Sequence, residues 1–257
     1  VISATAILAA NAPFWFDVER QDHQELIGVA KVPQTPWAGR GLRLSIGGGR
    51  SPHVGEETPG TALPARCPER HLQEDRTFCV GLRRLEVDGP GAADRWWEQL
   101  RQWIRCQGVA ERTGVWPPNQ ALDHGEAGVH HERALELARS IGLEDEYAAA
   151  WLGEPSWITD PDLRIVDRRG DPINGRAPCP RGCRRRASRN APILRRKCAR
   201  RWEIARLVWI ERLRRKSLDE YWRHVRASGT KCCGTMLTCP LRDDQGDTPE
   251  EDGGSPH

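Results

Sequence analysis

Six of the nine cysteines in this 257-residue chain crowd its final third: Cys179, Cys183, Cys198, Cys232, Cys233 and Cys239. Tetrahedral zinc takes four thiolate or imidazole ligands, carried on turns that let the sulfurs converge. Pro180 and Gly182 in Cys179-Pro-Arg-Gly-Cys183 suit such a turn, and Gly234 does the same between Cys233 and Cys239. The pattern predicts a structural zinc region in a reducing cytoplasm, with more cysteines than one site needs, so it does not single out four ligands. The competing reading is a set of reduced, buried structural thiols. A catalytic dithiol fits less well, because no strand-turn-helix pattern frames a Cys-x-x-Cys.

Two further stretches carry chemistry. In Cys67-Pro-Glu-Arg-His71 and the following residues to Cys79, a cysteine follows a polar turn and precedes the apolar Val80. A nucleophilic cysteine needs partial exposure and neighbours that favour its thiolate or stabilise an oxyanion. His71 and Cys79 meet that requirement on spacing alone only weakly, since such a pair is more often structural. Arg184–Arg186 and Arg195-Arg196-Lys197 form a basic run that could grip phosphates or an acidic protein. Without interleaved aromatics, a solvated face, or pairing with the acidic stretch Asp243–His257, is the better reading.

The elements that must position these residues show in the hydrophobic pattern. Phe14–Val18, Leu26–Val32 and Leu42–Ile46 read as strands, followed by a Gly-, Pro-, Ser- and Thr-rich irregular stretch from Gly47 to Pro68. Trp96, Leu100, Trp103, Ile104 and Gln107 share one helical face, and Trp116-Pro117-Pro118 ends that unit. A second helix is predicted over Glu126–Ser140, with Asp123 as its cap and Gly142 as its stop, and a third over Glu144–Leu152. Residues 159–178 are polar and turn-rich and are the expected linker. A long helix over 199–226 should bury Trp202, Ala205, Trp209 and Leu213, continued by Leu218, Tyr221, Trp222 and Val225. The expected division is therefore 1–158, a linker at 159–178, a cysteine-rich region at 179–241 and a disordered acidic tail at 242–257.

Composition narrows the classes. Trp is abundant at 11 while Phe, Tyr and Met number 3, 2 and 1, so aromatic surface comes mainly from indoles. The net charge of +3 conceals opposed basic and acidic segments and says little about partners. No run approaches the roughly 20 apolar residues of a membrane span. Val1–Pro13 is apolar like a signal h-region but lacks a basic n-region and an initiator Met, as a trimmed or partial chain would.

Aligned on Cys79, the segment resembles the active-site stretch of ubiquitin-conjugating enzymes, in which a His-Pro-Asn turn precedes a short hairpin and the catalytic cysteine. Phe78 and Val80 flank the nucleophile, His71 falls where the family has Asn, Glu69-Arg70 replace His-Pro, and Trp96-Trp97-Glu98-Gln99-Leu100 resembles the start of the helix after the active site. The whole chain resembles bacterial cysteine-rich proteins associated with a ubiquitin-conjugating-type domain. The pieces that carry this likeness are Gly47–Gly60, the Cys-Pro-Glu-Arg-His segment, the paired tryptophans, His124–Gly128, and Cys232–Met236 with Cys239-Pro-Leu241.

That resemblance implies an α+β fold, a small antiparallel meander with helices, here with an abbreviated meander and an appended zinc-binding helical region. It implies a Cys79 thioester with a ubiquitin-like protein delivered by an activating enzyme, then transfer to an amine on a protein substrate. His71 would stabilise the oxyanion, Asp123 or His124 would assist deprotonation, and the family context implies a role in defence against phage. The departures from the motif equally fit a fold that has lost the transfer. The rival readings are a non-catalytic zinc-binding adaptor that contacts a partner protein or nucleic acid, and a thiol hydrolase using a Cys79–His pair.

Overall fold

Strand alternation accounts for the first part of the chain. In β3 (Leu42–Gly47) Leu42, Leu44 and Ile46 point inward while Arg43 faces out. It pairs with β2 (Glu25–Ala30), where Leu26 lies opposite Ile46 and Ala30 opposite Leu42. The other edge of β2 takes β1 (Phe16–Gln21), with a bulge between Val18 and Arg20. β4 (His53–Glu56) adds to β3, and the order β1-β2-β3-β4 is an antiparallel four-stranded meander. This computed structural model describes residues 2–81, 84–120, 123–160 and 199–242.

β4 corrects two expectations. It lies within the stretch read as irregular, and it makes the meander complete rather than abbreviated. Its sequence, His-Val-Gly-Glu, hides the strand because a carboxylate occupies an inward position. Glu56 is buried, accepting hydrogen bonds from the backbone amides of Gly60 at 3.0 Å and Ala62 at 2.5 Å. A buried carboxylate needs such donors, and here they also order the loop that follows.

Helices cover the sheet. α1 (Ala4–Ala10) is capped by Ser3, whose hydroxyl accepts from the Ala6 amide, and it buries Leu8. The apolar start read as resembling an h-region thus forms a packed helix. A single helical turn, α2 (Trp37–Arg40), buries Trp37. α3 (Pro90–Thr113) opens with Pro at its first position, where the missing amide proton costs nothing, and closes on Gly114 at φ 67°. The predicted stripe of Trp96, Leu100, Trp103, Ile104 and Gln107 is buried. Trp97 forms a second anchor. It sits against Trp15 and Phe16, with ring centroids 5.6 and 4.6 Å apart, and donates to the Leu8 carbonyl at 3.2 Å.

The described residues divide into two compact units, one within Val1–Ala121 together with Ser228–His257, the other within Leu122–Ala227. The second consists of α4 (Glu126–Ile141), α5 (Glu144–Trp151), a 3-10 turn at Trp157–Thr159 and α6 (Arg201–Ala227). Its core joins Ala134, Ala138, Ile141, Leu143, Tyr147 and Ile158 to Ile204, Leu207 and Val208. On α6 the expected Ala205, Trp222 and Val225 are buried, but Trp202 is 64% exposed, and Glu211 and Arg214 are buried with the apolar residues. Nearly all of the expected linker and the tail beyond 242 lie outside the described residues, as do Cys179, Cys183, Cys198 and the Arg184–Lys197 run.

Candidate active site

The segment leading to Cys79 lies along β4. Thr77 bridges Gly55, the Phe78 amide donates to the Val54 carbonyl at 2.7 Å, and the Cys79 amide donates to the His71 carbonyl at 2.9 Å. In extended backbone, neighbouring side chains point to opposite sides. Phe78 points inward and stacks on Trp103, with centroids 4.1 Å apart and planes 13° from parallel. Cys79 is half-buried in the wall of a cleft of about 390 Å³, which Phe78 also borders. His53, Asp75, Arg84, Trp96 and Gln99 also line it.

Each of these groups has a local cause. Asp75 accepts from both the amide and the hydroxyl of Thr77, at 3.0 and 2.6 Å. Those bonds, with His53 and Arg84 nearby, hold its carboxyl below the ordinary value. Gln99 reaches the cleft from α3, and its amide lies where a Cβ on Gly81 would stand, so a larger residue at 81 would have to displace the Gln99 side chain. Burial raises the Cys79 thiol above its ordinary pKa, partly opposed by a backbone hydrogen bond at Gly81.

The other expected site residues are placed differently. His71 adopts a left-handed backbone (φ 56°), and its buried ring packs on Trp116 at 4.8 Å. Its link to Cys79 runs through its carbonyl, and its side chain does not line the cleft. Asp123 and His124 belong to the second unit. Asp123 does not cap α4, whose N-cap is Gly125 without a side-chain bond. Both of its carboxylate oxygens instead accept from Arg214, at 2.9 and 3.0 Å. Arg214 also donates to Glu211, and His131 sits between Asp123 at 3.8 Å and the Tyr147 hydroxyl at 3.0 Å. His124 stacks on Tyr221 at 4.6 Å and meets Trp222 edge-on. Burial pushes its pKa down to about 4.

Cys232, Cys233 and Cys239 lie in the first unit, with the sheet. Among the described residues, no three His, Cys, Asp or Glu side chains surround one point as a cation site. No helix among them is long and apolar enough to cross a membrane.

A family model described as prokaryotic E2 domain matches residues 15–118, and one described as cysteine-rich domain, C-terminal to E2 domain, matches 123–241. The chain belongs to this bacterial E2-like, cysteine-rich family. The E2 match ends where the first compact unit hands over to the second, and it contains the meander, Cys79 and α3. Activity of the ubiquitin-conjugating kind is thereby supported at the level of the family, and the cysteine-rich domain suggests metal binding. No curated protein and no solved structure matches the chain.

Sequence reasoning missed Gln99 and Asp75. Gln99 lies within the quoted Trp-Trp-Glu-Gln-Leu run, at the edge of the apolar stripe and one turn from both Trp96 and Trp103. A polar residue at that edge was its only available signal.

Proposed function

We propose that this chain carries a ubiquitin-like protein as a thioester on Cys79 and transfers it to an amine. The observation that supports this most is the place of Cys79 in the wall of a cleft shared with Asp75 and Gln99, on a segment anchored by the Phe78–Trp103 stack. In the first step the Cys79 thiolate attacks the thioester carbonyl held by an activating enzyme. The new C–S bond replaces the old one, and the activating enzyme's thiol leaves. An amine, usually of lysine, then attacks the Cys79 thioester, an oxyanion forms, and the Cys79 thiolate departs as the amine loses its proton.

The roles expected of His71, Asp123 and His124 pass to groups that line the cleft. The Gln99 carboxamide is the donor we assign to the developing oxyanion. Asp75, ionised and at the rim, draws in and orients the incoming cation before it loses its proton. The thioester already stores the activation, so the protein's contribution is mainly placement.

For the cysteine-rich domain we propose structural zinc, a role that fits a thiolate-rich donor set and takes no part in the transfer. The conjugation reading is tested with a cognate activating enzyme and ubiquitin-like protein, plus ATP. A reductant-labile adduct that disappears in Cys79→Ala, and becomes reductant-stable in Cys79→Ser, is the expected result. Failure to form any adduct with those partners sinks the reading.

A further inference from the structure

The first unit gathers cysteines from opposite ends of the chain. The sulfurs of Cys67 and Cys233 are 2.8 Å apart, and Cys239 interacts side chain to side chain with Cys232. Cys67 and Cys239 are buried. Three of these thiols come from the short segment Cys232–Cys239, and the fourth precedes the 3-10 turn Pro68–Arg70 on the approach to Cys79.

The amide of Gly234 donates to Cys232 Sγ at 3.4 Å, and the Thr235 hydroxyl lies 3.1 Å from Cys233 Sγ. Donors aimed at sulfur stabilise thiolate, the form that ligates a metal, and fix where its lone pairs point. Gly234, at φ 77°, supplies the tight turn that brings Cys232 and Cys233 into one neighbourhood.

The same segment is tied down beside the cysteines. Arg70 is fully buried, donates to Gln107 at 2.8 Å, pairs with Glu111 at 2.9 Å and reaches the Thr235 hydroxyl at 3.3 Å. One of its terminal nitrogens, Nη2, has no partner. A buried guanidinium suits a neighbour carrying excess negative charge, as a four-thiolate zinc centre does.

We propose that Cys67, Cys232, Cys233 and Cys239 together form one thiolate site for a divalent zinc ion, closing the chain's C-terminal segment onto the turn before Cys79. Among the described residues no three such side chains surround one point; a bound ion would bring the Cys67–Cys233 and Cys232–Cys239 pairs together. The donor set passes from the six clustered cysteines to three of them plus Cys67.

The test uses the full chain, purified under reductant, with zinc measured by mass spectrometry and each thiol mapped by alkylation. The expected result is that Cys67, Cys232, Cys233 and Cys239 are protected together and exposed together by a chelator. Cys67→Ser loses about one zinc per chain, while the triple Cys179→Ser, Cys183→Ser, Cys198→Ser variant keeps that ion. Refilling the stripped wild-type chain with Co²⁺ should give sulfur-to-metal charge-transfer bands, a readout that needs no variant to fold. Zinc fully retained in Cys67→Ser, loss of the protected set in the triple variant, or a metal-free chain with Cys67 joined to Cys233 as a disulfide would each overturn the assignment.

Discussion

At Cys79 the thiol must lose a proton before it can attack, and burial makes that harder. Because its pKa lies above the ordinary thiol value, the thiolate fraction should still be rising with pH between about pH 7 and 9. Iodoacetamide labelling of Cys79, followed peptide by peptide, checks this; a rate already flat across that interval would contradict it. His124 makes the opposite kind of prediction. Its folded pKa of about 4 lies below the ordinary histidine value, so the unfolded chain binds the proton first. Stability of the second unit should be complete above about pH 6.5 and decline as pH falls toward 4. His124→Phe keeps a ring against Tyr221 and removes the titration, so its melting temperature should depend less on pH in that interval. Removing Asp123 as Asn or Ala leaves the buried Arg214 with only Glu211 for charge balance. The expected cost is about 3 kcal/mol by denaturant unfolding.

At the scale of elements, what was legible in the sequence was whatever a single period could announce. Trp96 to Gln107 repeat at helical spacing and form the buried face of α3, and Gly142 stops α4 in a left-handed conformation. β4 was illegible because its inward Glu56 breaks the apolar alternation, and the bonds that compensate come from a loop with no pattern of its own. Trp202 misled because a helix long enough to show several faces does not say which one is covered. Asp123 looked like a cap because capping is local, whereas the Arg214 that claims it lies on α6. The cleft was half legible: Cys79 stood out, but Asp75 and Gln99 acquire meaning only through β4 and α3. The Phe78–Trp103 stack orients the segment, so Phe78→Ala should cost about 3–5 kcal/mol in unfolding experiments. Phe78→Leu, which keeps an inward apolar anchor, should cost much less and leave Cys79 labelling nearly unchanged.

Across the whole molecule, the family description and the packing divide the chain at the same place, near residues 118–123, but they differ over its C-terminal segment. Residues of the cysteine-rich match beyond 228 pack with the E2 domain. Met236 is fully buried there, and the Leu237 amide donates to the Gly114 carbonyl at 2.7 Å, finishing α3. A chain ending at Ala227 should therefore melt at a lower temperature, through the E2 domain as well as at its own truncated end. Limited proteolysis resolved by fragment mass would show increased cutting within residues 15–118.

The return of Ser228–Arg242 to the unit that begins the chain has a topological consequence. Residues 122–227 are an insertion, joined to their host by two covalent crossings instead of one. A lone break within the insert would nick the polypeptide without freeing either end of the host, since Gly114, Arg70 and Cys67 still hold the far strand of the cut. In a denaturing gel such a molecule separates into two pieces, while on a native sizing column it should keep its mass. The same arrangement lets the host accept a differently sized insert, provided its two ends emerge where the present ones do.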